Sequence, residues 1–144
     1  MRILVTTQLP GSSWSDLLAA NGCEIDIRPG GHVLGEDELI ERIGTRCDAA
    51  IGQLNEPWTA RVFEALQAAG GRAFSTYAVG FDNLGVAAAP RCGTRVGNNP
   101  GVLTESTAEL AVALTLAAGR NRVPADRYTH DGQLPAWLPH PFIG

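Results

Sequence analysis

The chain is short of the features that specialised folds are built on. Its three cysteines, Cys23, Cys47 and Cys92, are odd in number and widely spaced, and no C-x-x-C occurs. That argues against a disulfide framework or a zinc site and for reduced, buried thiols in a cytoplasmic protein. No apolar run reaches membrane-spanning length, because Glu109 and Arg120 bracket the greasiest stretch. The N-terminus, M-R-I-L-V-T-T, begins directly as a strand and lacks the apolar core and small-residue cleavage site of a secretory signal. Arginines such as Arg2, Arg28, Arg42, Arg46, Arg61, Arg72 and Arg91 form no run and read as solvated surface charge. With a formal net charge of −4, nucleic acid is not expected as a partner. No pair of histidines has metal-ligand spacing such as H-E-x-x-H, so no metal is expected. His32, in a glycine-rich turn, and His130, in a polar stretch, are expected to face solvent; His140 is expected in a packing or intersubunit contact. Repeats and low-complexity segments are also missing.

What is there reads as a soluble globular protein of 144 residues, 44% hydrophobic and 18% charged. That length supports one well-cored domain and not two ordinary ones. Strands and helices alternate along it. Arg2 to Thr6, Glu24 to Ile27, Asp48 to Ile51, Arg72 to Ser75 and Thr94 to Val96 read as strands. Helices are expected around Trp14 to Ala19, closed by Asn21-Gly22, over Glu36 to Ile43, and over Thr59 to Ala69. Leu84 to Ala89 reads as a short helical turn ended by Pro90. Such alternation predicts an α/β fold, a doubly wound sheet of mostly parallel strands with helices on both faces.

The helix after Pro100 differs in kind. Ser106-Thr107-Ala108-Glu109 reads as a capping box, and Leu110 to Ala118 is apolar nearly all round. Such a helix needs cover on several sides, from a second domain or a second subunit. The tail from Val123 to Gly144 reads as an extended arm, rich in proline and aromatics towards its end.

In open α/β sheets, ligands bind outside the carboxyl ends of the strands. The loop Thr76 to Asn83 follows the fourth strand and lies on that edge. Gly80 would permit a positive φ and close approach by a ligand, and successive backbone N–H groups in such a turn suit a carboxylate. An ordinary strand-to-helix turn is the plainer alternative.

Five segments in order carry a resemblance. They are C-D-A-A-I-G-Q (Cys47 to Gln53), A-G-G-R-A-F (Ala69 to Phe74), A-V-G-F-D-N, V-G-N-N-P-G-V-L-T-E and the terminal W-L-P-H-P-F-I-G. Together the chain resembles the substrate-binding portion of the D-2-hydroxyacid dehydrogenases, in their hydroxypyruvate reductase (glycerate dehydrogenase) branch. The resemblance implies a flavodoxin-like substrate domain over residues 1–100. Residues 101–144 would be the hinge helix and arm of the interdomain and dimer region, and a homo-oligomer would form through 104–144. It implies that Val79 and Gly80 offer main-chain N–H groups to the carboxylate of a small 2-keto or 2-hydroxy acid. Asn98 would help shape the cleft at the hinge, and Thr107 would face the nicotinamide of NAD(H) or NADP(H). The plainer alternatives are a turn former at Asn98 and a first-turn helix residue at Thr107. The family reaction is hydride transfer to C2 of a keto acid such as hydroxypyruvate or glyoxylate, with a histidine, glutamate and arginine that would lie beyond Gly144.

The G-x-G-x-x-G loop of a Rossmann cofactor domain is absent from these residues. The chain alone is therefore expected to be a truncated, inactive portion of such an enzyme. The alternative is a non-catalytic module that binds small carboxylates or dimerises. A phospho-receiver is rejected because Thr6-Thr7-Gln8 follows the first strand. A flavin site would rest only on the hydroxyls of Thr6, Thr7, Ser12 and Ser13. The chain departs from the family at Asn99, where threonine is usual, at Gly85, where aspartate is common, and at Pro90.

Overall fold

The structure, a computed structural model, describes residues 1–133 and Ala136. The terminal W-L-P-H-P-F-I-G segment and His140 lie outside the described residues. The chain divides into two compact units, Met1–Gly101 and Val102–Gly144.

The first unit is built on five strands: β1 (Arg2–Val5), β2 (Glu24–Ile27), β3 (Ala49–Gly52), β4 (Ala73–Thr76) and β5 (Arg95–Gly97). All neighbours are parallel, in the order β2-β1-β3-β4-β5, the flavodoxin-like doubly wound arrangement. Its helices are α1 (Ser13–Ala20), α2 (Glu36–Ile43) and α3 (Ala60–Ala68). Because strand side chains alternate between faces, β1 feeds two cores. Leu4 joins Leu39, Ile43, Val62, Phe63 and Leu66 of α2 and α3 on one side. Ile3 and Val5 join Trp14 and Leu18 of α1 on the other. The larger core closes on an aromatic group: the Trp58 ring lies 4.0 Å from that of Phe74, and Phe63 meets Phe74 edge-on at 5.8 Å.

Two arginines expected at the surface are not there. The chain has no lysine, and the planar guanidinium fork suits a cation that must satisfy several acceptors at once. Arg2 pairs with Asp26 at 2.6 Å and donates to the carbonyls of Arg42, Ile43 and Arg46, at and just beyond the C-terminal end of α2. It thereby ties β1 and β2 to a helix terminus whose carbonyls favour a cation. Arg28 is buried and donates to the His32 carbonyl at 2.7 Å and to His32 Nδ1 at 2.8 Å. Since arginine only donates, Nδ1 accepts and the ring proton sits on Nε2, which meets Glu38 Oε1 at 2.7 Å. His32 is exposed, as expected, but firmly partnered.

Leu84 to Ala89 keeps to the short helical turn expected, with the Ala88 and Ala89 N–H groups both bonded to the Gly85 carbonyl; Gly85 and Pro90 disfavour any longer helix. Two further expectations are corrected. In the second unit, α4 (Thr104–Gly119) begins earlier than the expected capping box. Leu103 already has helical dihedrals, so Ser106 bonds back to the Leu103 carbonyl at 3.2 Å and caps nothing. The stretch expected to start an extended arm is helical: α5 covers Arg122–His130. Pro124 is tolerated because it stands in the first turn, where its missing N–H forfeits no helical bond. Asn121, left-handed at φ 50°, separates the two helices. His130 is exposed, as expected, on the last turn of α5. No helix among the described residues is long and apolar enough to cross a membrane.

Candidate functional site

β4 ends at Thr76, and the chain then runs along the carboxyl edge of the sheet without forming a helix. The loop is anchored at three places. Tyr77 N–H donates to the Gly52 carbonyl at the end of β3, at 2.9 Å. Asn98 Nδ2 donates to the Val79 carbonyl at 2.8 Å, and Asn99 N–H to the Ala78 carbonyl at 2.9 Å. Asn83 Nδ2 donates to the carbonyls of Gln53 and Glu56, at 3.1 and 2.8 Å. Between the anchors, the backbone N–H groups from Ala78 through Asn83 meet no acceptor among the described residues. A run of unspent donors at a sheet's carboxyl edge is a place for an anion, and a carboxylate fits because its two oxygens can each take an N–H.

Val79 and Gly80 thus stand where the sequence put them, and Asn98 is brought onto the same loop. The expected positive φ at Gly80 is not found. A Cβ there would meet nothing within 4 Å, so neither its dihedral nor packing against the described residues demands glycine. Thr107 lies in the other unit, in the first turns of α4, with its N–H bonded to the Leu103 carbonyl at 3.0 Å.

Next to the loop sits a group that sequence reasoning missed. Glu56 is 2% exposed, and its Oε2 accepts from Thr6 Oγ1 at 2.8 Å, Gln53 N–H at 2.9 Å and Trp58 Nε1 at 3.3 Å. A buried carboxylate is tolerated only with such donors around it. No local pattern marks the N-E-P-W stretch as buried. Asn83 carried a weak signal, since an asparagine closing a glycine loop is a turn residue whose amide can bond nearby backbone. A pocket of about 240 Å³ opens on the same edge, lined by Thr6, Thr7, His32, Gln53, Asn55 and Glu56 among others.

The remaining reactive groups are quiet. Burial pushes the Cys47 thiol above its ordinary range, and its Sγ donates to the Ala49 carbonyl at 3.2 Å. Cys92 is buried and Cys23 half-buried, and all three are unpaired. Among the described residues, no group of three or more His, Cys, Asp or Glu is placed to hold a metal. At Gly85, an added Cβ would lie 3.3 Å from the backbone of Trp58, Thr59 and Ala60, so any larger residue needs that contact to open.

The parallel sheet in this strand order, with a loop of unspent N–H donors at its carboxyl edge, defines an α/β domain of flavodoxin-like topology. The model of the D-isomer specific 2-hydroxyacid dehydrogenase catalytic domain matches residues 3–134, and the chain belongs to that family. It is 47% identical over 144 residues to the peroxisomal glycerate dehydrogenase HPR of Arabidopsis thaliana, covering 99% of this chain and 37% of that protein. It is 40% identical to a glyoxylate reductase of Korarchaeum cryptofilum, covering 99% of this chain and 42% of that one. A crystal structure of a Thermus thermophilus protein superposes with a TM-score of 0.88 at 36% identity, covering all of this chain and 45% of that one. The chain therefore spans about two-fifths of the length of the curated relatives it matches.

Proposed function

We propose that these residues form the substrate-binding portion of a D-2-hydroxyacid dehydrogenase acting on hydroxypyruvate or glyoxylate. The run of unbonded N–H groups from Ala78 to Asn83 carries the reading. Val79 and Gly80 N–H groups hold the carboxylate of the acid, and Asn98 holds the loop by its Val79 carbonyl. Thr107 is assigned to the nicotinamide side. In the family reaction, a reduced nicotinamide, NADH or NADPH, supplies the hydride. The work of this chain is to bind and orient the acid, since it contains no G-x-G-x-x-G loop. Residues 1–100 are assigned to acid binding, and 101–144 to the hinge and subunit contact. Three unpaired cysteines suit a reducing compartment, and the cytoplasm is the proposed location.

A chimera tests this. These residues are joined to the cofactor-binding portion of the Arabidopsis relative, and NADH oxidation is followed with hydroxypyruvate, glyoxylate and pyruvate. Turnover of the first two is expected. A folded, NADH-binding chimera that reduces neither sinks the reading. The 144 residues assayed alone are expected to oxidise no NADH.

A second reading, a non-catalytic carboxylate-binding or dimerisation module, is favoured by one observation. Leu110, Val112, Leu114 and Leu116 of α4 are all exposed. Exposed apolar surface of that kind invites association, and in either reading a homo-oligomer through α4 is proposed.

A further inference from the structure

We infer that Asn83 is a positioning residue for the acid-binding loop, setting the direction of the Val79 and Gly80 N–H groups through the turn that Glu56 holds. The inference rests on the carboxylate-loop reading above and deepens it.

No backbone N–H from Ala78 to Asn83 finds an acceptor among the described residues, so the direction of these donors is inherited from the loop's anchors. Two of these are simple: the end of β3 holds Tyr77, and residues 98 and 99 hold the carbonyls of Val79 and Ala78. The third is built differently. Asn83 Nδ2 bonds two main-chain carbonyls, those of Gln53 and Glu56, while its own carbonyl accepts Trp58 N–H at 3.1 Å. Both side-chain acceptors are carbonyl oxygens, so only an NH₂ group can serve there. An aspartate of the same shape would place oxygen against oxygen.

The carbonyls that Asn83 grips are themselves fixed. The Glu56 carboxylate folds back to its neighbours, taking Gln53 N–H and Trp58 Nε1, and reaches across to Thr6 Oγ1 at the end of β1. Residues 53 to 58 are thereby closed into one turn pinned to the sheet. The path runs from β1 through Glu56 to Asn83 and so to the loop. Only one carboxylate oxygen takes these bonds, and the amide oxygen of a glutamine can replace it. If Asn83 merely closed a turn, its loss would lower stability yet leave the affinity of the folded protein for an acid unchanged.

The test uses the 144-residue chain, isotope-labelled, with D-glycerate added and the Val79 and Gly80 amide resonances followed. In the wild type both are expected to move and saturate. In Asn83→Asp the dissociation constant is expected to rise about tenfold, the effect of losing one well-placed bond pair. Amides of α1 and β2 should stay in place, showing that the sheet is intact. Asn83→Ala removes the donor without adding repulsion and should weaken binding in the same direction. Glu56→Gln should bind nearly as the wild type does. Wild-type amides that ignore D-glycerate would defeat the carboxylate-loop reading itself, and the inference with it. Wild-type affinity in a folded Asn83→Asp or Asn83→Ala overturns the inference alone. Unfolding of both variants would also overturn it, by making the tie a stability element only.

Discussion

Gly52 has no room for a side chain, and Gly52→Ala tests the packing of the aromatic group directly. Gly52 ends β3 beneath two buried rings, Trp58 and Phe74. A Cβ at this position would lie 2.5 Å from Trp58 Nε1 and 2.8 Å from Phe74 Cε2, closer than real contacts allow. Neither ring can swing away, since the two sit 4.0 Å apart and Phe63 stands against both. Overpacking of that sort costs about 2 kcal/mol. Displacing Trp58 also breaks its bond to Glu56 Oε2, worth about 1 kcal/mol more. A loss of about 3 kcal/mol should lower Tm by roughly 10 °C in a chain of this size. Thermal unfolding followed by tryptophan fluorescence measures it. Because Trp58 N–H also meets the Asn83 carbonyl, the Val79 and Gly80 amides should shift in the folded variant too. A fall in Tm smaller than about 3 °C would refute the claim that these rings are locked.

Three other outcomes are expected. In native protein a thiol reagent should modify Cys23 readily, leaving Cys47 and Cys92 to react only in denaturant; fast labelling of Cys47 would contradict its burial. The Gly35 N–H bond, followed by that of His32, holds the Glu38 carboxyl below the usual glutamate range. A depressed folded value means that stabilisation is present above the ordinary carboxylate range and is lost as pH falls through the folded value. The Tm gap between wild type and Glu38→Gln should therefore close on going from about pH 7 to about pH 3, and a gap that widens would contradict this. For α4, replacing Leu110 and Leu114 with glutamate should shift sedimentation towards monomer; a wild type that is monomeric at all concentrations would remove the proposed subunit contact.

The sequence determined the alternation of strand and helix by itself. Runs such as Arg2 to Val5 and the spaced apolar residues of Glu36 to Ile43 are local patterns, and local patterns survive without a tertiary structure. The glycine loop after β4 was legible for the same reason, because its composition and its place after a strand are both local. The helix of Arg122–His130 was not, since polar composition and a proline outweighed a first-turn position that only the start at Arg122 reveals. Nor was the start of α4, where a good capping sequence lost to a chain that was already helical at Leu103. Arg2, Arg28 and Glu56 belong to the tertiary structure alone. Charged residues look alike in a sequence, and whether one is solvated or buried depends on donors and acceptors arriving from distant segments. Thr6 and Glu56 are 50 positions apart, and Arg2 reaches the Ile43 carbonyl across 41. What the tertiary structure decided is how the loop after β4 is held, because Tyr77 and Asn83 find their partners at and just beyond the end of β3, in a segment distant along the chain.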